Sequence, residues 1–154
     1  SKVAEECPKL KTLNLSECFS ITDISILRIA ECCPLLQSLN VCATNYDEKA
    51  NFEITDCSII RIAEKCSNLH NLDLSNCLNI TDKSIIRLSE CCPSLHILNL
   101  EDCPDITSKS IIKIAGGCAD LHALNIGRSG QLNYDSNSTM FFSDVALQRL
   151  VEGC

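Results

Sequence analysis

The sequence predicts an α/β solenoid, a curved horseshoe segment with parallel strands on its concave face and helices on its convex face. Three observations predict it: a cysteine that returns at a near-constant interval, a fixed set of apolar offsets behind each one, and a short Ile-Thr-Asp phrase that opens each helix. Self-similarity at such a period marks a stacked array. One strand and one helix cannot hide an apolar edge alone, so each unit must lie against a neighbour.

The period comes first. Cys7, Cys33, Cys66, Cys92, Cys118 and Cys154 open similar text at intervals of 26, 33, 26, 26 and 36 residues. Repeats therefore run 7–32, 33–65, 66–91, 92–117 and 118–153, a single domain over 1–154. Residues 1–6 (SKVAEE) match the end of a preceding repeat's helix, as in LRIAEC at 27–32. Neither terminus reads as the polar cap that repeat arrays need for solubility, so the chain is expected to be a segment of a longer protein.

The strands follow from the apolar offsets. Leu10, Leu13 and Leu15 are echoed by Leu35 or Leu36 with Leu39 and Val41, by Leu69, Leu72 and Leu74, by Leu95, Leu98 and Leu100, and by Leu121, Leu124 and Ile126. Cys18, Cys77 and Cys103 stand three places after the last apolar residue of their units. The helices open at Ile21-Thr22-Asp23, Ile54-Thr55-Asp56, Ile80-Thr81-Asp82, Ile106-Thr107-Ser108 and Phe142-Ser143-Asp144. A Thr or Ser hydroxyl there can cap an orphan backbone N–H, and an Asp in the first turn suits the positive end of the helix dipole. Ile26, Ile29 and Ala30, like Ile59, Ile62 and Ala63, then keep the i, i+3, i+4 spacing of an amphipathic helix.

These residues carry a resemblance. The LxxLxLxxC pattern resembles a leucine-rich repeat. The phrase Cys92-Pro93-x-Leu95-x-x-Leu98-x-Leu100-x-x-Cys103-x-x-Ile106-Thr107 is similar to the cysteine-containing, ribonuclease-inhibitor-like repeat of F-box proteins and related cell-cycle regulators, and the likeness spans the whole chain. It implies a curved arm that captures a protein substrate while a separate F-box module docks onto a ubiquitin ligase adaptor. No F-box-like segment lies in these 154 residues, so the adaptor is implied only through a module outside them. The alternative is a stand-alone regulator that sequesters a protein partner without ubiquitin, as ribonuclease-inhibitor-like arrays do.

Composition narrows the function further. Thirteen Lys and Arg against twenty Asp and Glu give a net charge of −7, which phosphate backbones and anionic membranes repel, so neither nucleic acid nor membrane is expected as a partner. The first residues form no apolar signal core, and charged or amide side chains break every later apolar run. Thirteen cysteines without a signal peptide or a CxxC pair point to reduced, buried thiols in the cytoplasm or nucleus, with no metal and no cofactor. No GxSxG, HExxH or glycine-rich phosphate loop is present, and the reading is of a binding protein rather than an enzyme.

Candidate binding residues sit on the strands and in two insertions. His70, His96 and His122 share one offset, behind Lys11 and Gln37, so adjacent strands about 4.8 Å apart can set their rings side by side. They read either as a polar strand entry or as a partner contact sensitive to pH. Asn14, Asn40, Asp73, Asn99 and Asn125 form a second column, flanked by Thr12, Ser38, Asn71, Ile97 and Ala123 and mildly acidic near Glu101 and Asp102. The amides can hydrogen-bond along the ladder or face a partner. Lys2, Arg28, Arg61, Arg87, Lys113 and Arg149 make a basic stripe on the helices, but Glu5, Glu31, Glu64, Glu90 and Glu152 stand three residues on and nearly neutralise it.

The insertions add seven residues after Val41 and ten after Ile126, and they carry Tyr46, Phe52, Tyr134 and Phe141. Aromatics on added loops read as interface anchors or as plugs against their own repeats. Three units apart, the loops are expected roughly 15 Å from each other along the stack. In both units the strand-ending cysteine is replaced, by Thr44 and Ser129, so a departure from the standard turn is expected there.

Overall fold

The computed structural model describes residues 7–18, 20–42, 54–127 and 129. Strands β1 (Thr12–Asn14), β2 (Ser38–Asn40), β3 (Asn71–Asp73), β4 (Ile97–Asn99) and β5 (Ala123–Asn125) alternate with helices α1 (Asp23–Cys32), α2 (Asp56–Lys65), α3 (Asp82–Cys91) and α4 (Ser108–Gly117). The strands pair in parallel in chain order, and the register sets Leu13, Leu39, Leu72, Leu98 and Leu124 abreast. Every rung is thus a copy of the last.

The core is a set of ladders between sheet and helices. Leu39, Leu72 and Leu98 from the strands meet Ile26, Ile59, Ile85 and Ile111 from the helices, all but fully buried. In the second repeat Leu36 takes the buried slot and Leu35 is left 44% exposed, which resolves the ambiguity of that doublet. Leu10, Leu13 and Leu15 are only half-buried, packed against the core from its edge rung. Strands lie about 4.8 Å apart whereas packed helices need 8–10 Å, so a stack of such units curves with the strands on its inner face.

The helix starts follow the Thr-Asp phrase. Thr55, Thr81 and Thr107 are extended, and each hydroxyl accepts from the N–H two residues on, at 3.2 Å. Thr22 has the same backbone, but its hydroxyl forms no cap bond, so capping there is backbone geometry alone. One position further, Ser58, Ser84 and Ser110 are fully buried and donate back to the carbonyls of those threonines.

The two insertions fall largely outside the described residues, and so do residues 1–6 and most of 118–153.

Candidate protein-binding face

Each strand leaves through the same turn, and the asparagine column builds it. The side-chain oxygens of Asn14, Asn40, Asp73, Asn99 and Asn125 accept from the N–H two residues later, at 2.9, 2.8, 3.0, 3.1 and 3.0 Å. This is an Asx turn, in which the side chain stands in for a backbone acceptor. The residue after the donor enters the left-handed region at Glu17, Asn76 and Asp102, with φ of 62°, 61° and 55°. The oxygens thus close their own turns, a role that neither reading of these amides named. A bond between rungs occurs at Asn125, whose Nδ2 donates to Glu101 at 3.2 Å.

Behind the turns, the cysteines make two inward columns. Cys33, Cys66 and Cys118 donate to the carbonyls of Cys7, Cys33 and Cys92 at 3.5, 3.5 and 3.4 Å, and Cys92 reaches those of Ala63 and Cys66 at 3.7 and 3.8 Å. In the second column Cys77 and Cys103 donate to the carbonyls of Val41 and Leu74, at 4.0 and 3.2 Å. Ser129 continues that column. It is buried, its hydroxyl donates to the Leu100 carbonyl, and its N–H closes the same turn onto Ile126 at 3.2 Å. The expected departure at Ser129 is thus corrected, since a hydroxyl replaces the thiol without moving the chain. Thr44 lies outside the described residues.

Burial governs the chemistry of these thiols. It pushes Cys66 up to about 11 and both Cys92 and Cys103 up to about 12, and it raises Cys33 and Cys77 in the same direction, because a thiolate there would lose its hydration. Such thiols are poor nucleophiles and poor metal ligands at neutral pH. Among the described residues no group of three His, Cys, Asp or Glu could hold a metal ion.

The helix face carries an exposed ion ladder. Arg61 bridges Glu31 at 3.0 Å and Glu64 at 3.4 Å, and Arg87 bridges Glu64 at 3.0 Å and Glu90 at 2.9 Å. Lys65 adds a contact to Glu31 at 3.6 Å. The pairs within one helix follow from the i, i+3 spacing. The pairs between helices were not anticipated, although repetition of the same offsets in adjacent repeats contains them. Among the described residues of the stripe, Arg61 and Arg87 are thus neutralised by carboxylates.

The histidines come together. His70 and His96 stack with ring centroids 4.8 Å apart and planes 25° from parallel, and His96 and His122 lie 5.3 Å apart at 35°. The backbone sets this spacing: His70, His96 and His122 donate to the carbonyls of Gln37, His70 and His96 at 2.8, 2.7 and 3.0 Å. Next to them Ile97 is 42% exposed at the start of β4, between half-buried Asn71 and exposed Ala123. At the opposite, exit end of the strands stand Asp73, Glu101 and Asp102. Tyr46, Phe52, Tyr134 and Phe141 lie outside the described residues.

A family model described as a leucine-rich repeat matches residues 6–30 and 91–115. No curated protein matches by sequence. Among solved structures, the tropomodulin C-terminal domain of Caenorhabditis elegans is similar, with a TM-score of 0.65 and 15% identity, covering 99% of this chain and 86% of that one. With the parallel register and the leucine ladder, these define the fold as a leucine-rich-repeat solenoid. Leucine-rich repeats generally mediate protein–protein interaction, as binding scaffolds rather than enzymes. No described helix is long and apolar enough to cross a membrane.

Proposed function

We propose that the chain is a protein-recognition arm that holds its partner on the strand face, and that it serves an F-box-type ubiquitin ligase subunit as its substrate-recognition arm. One observation supports the first part most. The strand-entry edge presents side chains outside the core, the stacked histidines and exposed Ile97, whereas the asparagine oxygens close turns and Arg61 and Arg87 are ion-paired on the helices. The ubiquitin part rests on the resemblance of the cysteine-containing repeat. The aromatic loops with Tyr46, Phe52, Tyr134 and Phe141 belong to this reading as further anchors, because Tyr and Phe carry much of the energy at hot spots.

Affinity capture from a cell extract tests it, comparing the intact chain with Ile97→Asp. An interface core strongly disfavours a buried unpaired charge, so capture should fall by about tenfold or more while the circular dichroism spectrum stays unchanged. A ubiquitin ligase adaptor co-purifying with the parent protein supports the F-box role. A partner retained without an adaptor supports a stand-alone regulator instead.

A further inference from the structure

We propose that the His70–His96–His122 row is a proton-gated docking edge for an extended, carboxylate-bearing segment of the partner protein. This rests on the strand-face reading above and names the chemistry of what that face takes.

The geometry carries it. Three imidazoles at successive spacings of 4.8 and 5.3 Å make a row roughly 10 Å long, two rungs of a parallel sheet. An extended peptide advances about 3.3 Å per residue, so carboxylates two residues apart stand about 6.6 Å from one another and both fit within the length of the row. Among the described residues no carboxylate pairs with these rings. The contact the row does make is His122 Nδ1 with the backbone carbonyl of Asp120 at 3.1 Å. A carbonyl only accepts, so in that contact the ring carries its proton on Nδ1 and its Nε2 is left as an acceptor.

The charges around the row favour an anion. Lys11 holds the same offset before β1 at the near end of the column, with Lys9 two residues earlier, and Gln37 stands between Lys11 and His70. Asp120 stands in the turn before β5, and Asp73 closes the exit turn of β3 by accepting from Ser75, with Glu101 and Asp102 at that same far edge. The exit edge thus carries Asp73, Glu101 and Asp102, whereas the entry edge carries Lys9, Lys11 and one carboxylate, Asp120, so an acidic segment is favoured at the entry over the exit. Histidine is the side chain whose charge changes between pH 5 and 8, and adjacent imidazolium groups at this spacing repel one another. An anion laid along the row offsets that repulsion, so binding and proton uptake reinforce one another.

The probe is a fluorescent hexapeptide alternating Glu and Ser, beside its Gln counterpart, with anisotropy read at about pH 8 and about pH 5.5. The Glu peptide should bind about tenfold tighter or more at the lower pH, since each proton taken up adds up to tenfold per pH unit. The Gln peptide should show no gain. His96→Lys, which fixes a charge in mid-row, should strengthen Glu-peptide binding at the higher pH, a gain that misfolding cannot imitate. The triple change His70→Gln, His96→Gln and His122→Gln should remove the pH response. Equal affinity at both pH values, or a response that survives the triple change, overturns the proposal. If Ile97→Asp abolishes capture of the natural partner while the peptide response is flat, this inference alone fails. If Ile97→Asp leaves capture intact, the strand-face reading fails.

Discussion

Thr81 donates both its backbone N–H and its hydroxyl to the carboxylate of Asp56, at 2.8 and 2.6 Å. The same clasp joins Thr55 to Asp23 at 2.9 and 2.6 Å, and Thr107 to Asp82 at 2.8 and 2.5 Å. Asp in the first turn of one helix thus pins the cap residue of the next, tying consecutive repeats beyond the named strands, where Thr55 and Thr81 also bridge Asn79 and Asp105 in parallel. Asp56→Ala removes two charge-assisted bonds and should lower stability by about 2 kcal/mol. Asp56→Asn keeps one acceptor and should lose less. Urea denaturation checks the order, and equal losses would remove the clasp from the account.

The buried thiols make stability depend on alkaline pH. Their folded values lie above the ordinary 9.0, at about 11 for Cys66 and about 12 for Cys92 and Cys103. Below pH 9 both states hold the proton and the full stability is present. Between 9 and the folded values the unfolded chain has fewer protons, so stability falls as pH rises, by up to about 1.4 kcal/mol per pH unit for each thiol. Cys92→Ala should make that fall shallower by one proton. At neutral pH, mass spectrometry after brief iodoacetamide treatment should find exposed Cys18 and Cys57 modified before any buried thiol.

Ser129 and Cys103 occupy equivalent places, each donating to a carbonyl one repeat back. Ser129→Cys should change thermal stability little. Ser129→Ala removes one of the two donors to the Leu100 carbonyl, which keeps the Cys103 N–H, and should cost about 0.5–1.5 kcal/mol. A neutral alanine would show that the bond contributes nothing.

Gly117 is required by a close approach between helices. A Cβ there would collide with the Ser89 carbonyl oxygen and stand 2.9 Å from both the carbonyl carbon and Cβ of Ser89, whereas at Gly116 nothing lies within 4 Å. Gly117→Ala should destabilise by about 1–3 kcal/mol through overpacking. Gly116→Ala should stabilise by up to about 1 kcal/mol, because alanine gives up less backbone freedom in a helix. Opposite signs in one calorimetric comparison are the expected result.

Most of the fold was legible because stacking repeats one chemical environment. The LxxLxL offsets mark the buried ladder, and the shared histidine offset alone puts three rings in a row. What escaped the sequence reading was contact between repeats at unequal positions. The Asp56–Thr81 clasp joins the third residue of one Ile-Thr-Asp phrase to the second of the next, a diagonal visible only when adjacent repeats are written in register. The turn-closing role of the asparagine column was not read for a related reason. Its periodicity suggested bonds between rungs, but an amide at a strand exit finds the N–H two residues on nearer than any neighbour. Ser129 looked like a break in the pattern because residue type changed, whereas the geometry needs only a small donor.

Photo-crosslinking tests the central claim, that the partner lies on the strand face, most directly. Benzoylphenylalanine placed at Ile97 marks that face, and placed at Lys83, exposed in the first turn of α3, it marks the helix side. The account predicts a partner adduct from position 97 and none from position 83. Adducts from position 83 alone would contradict it.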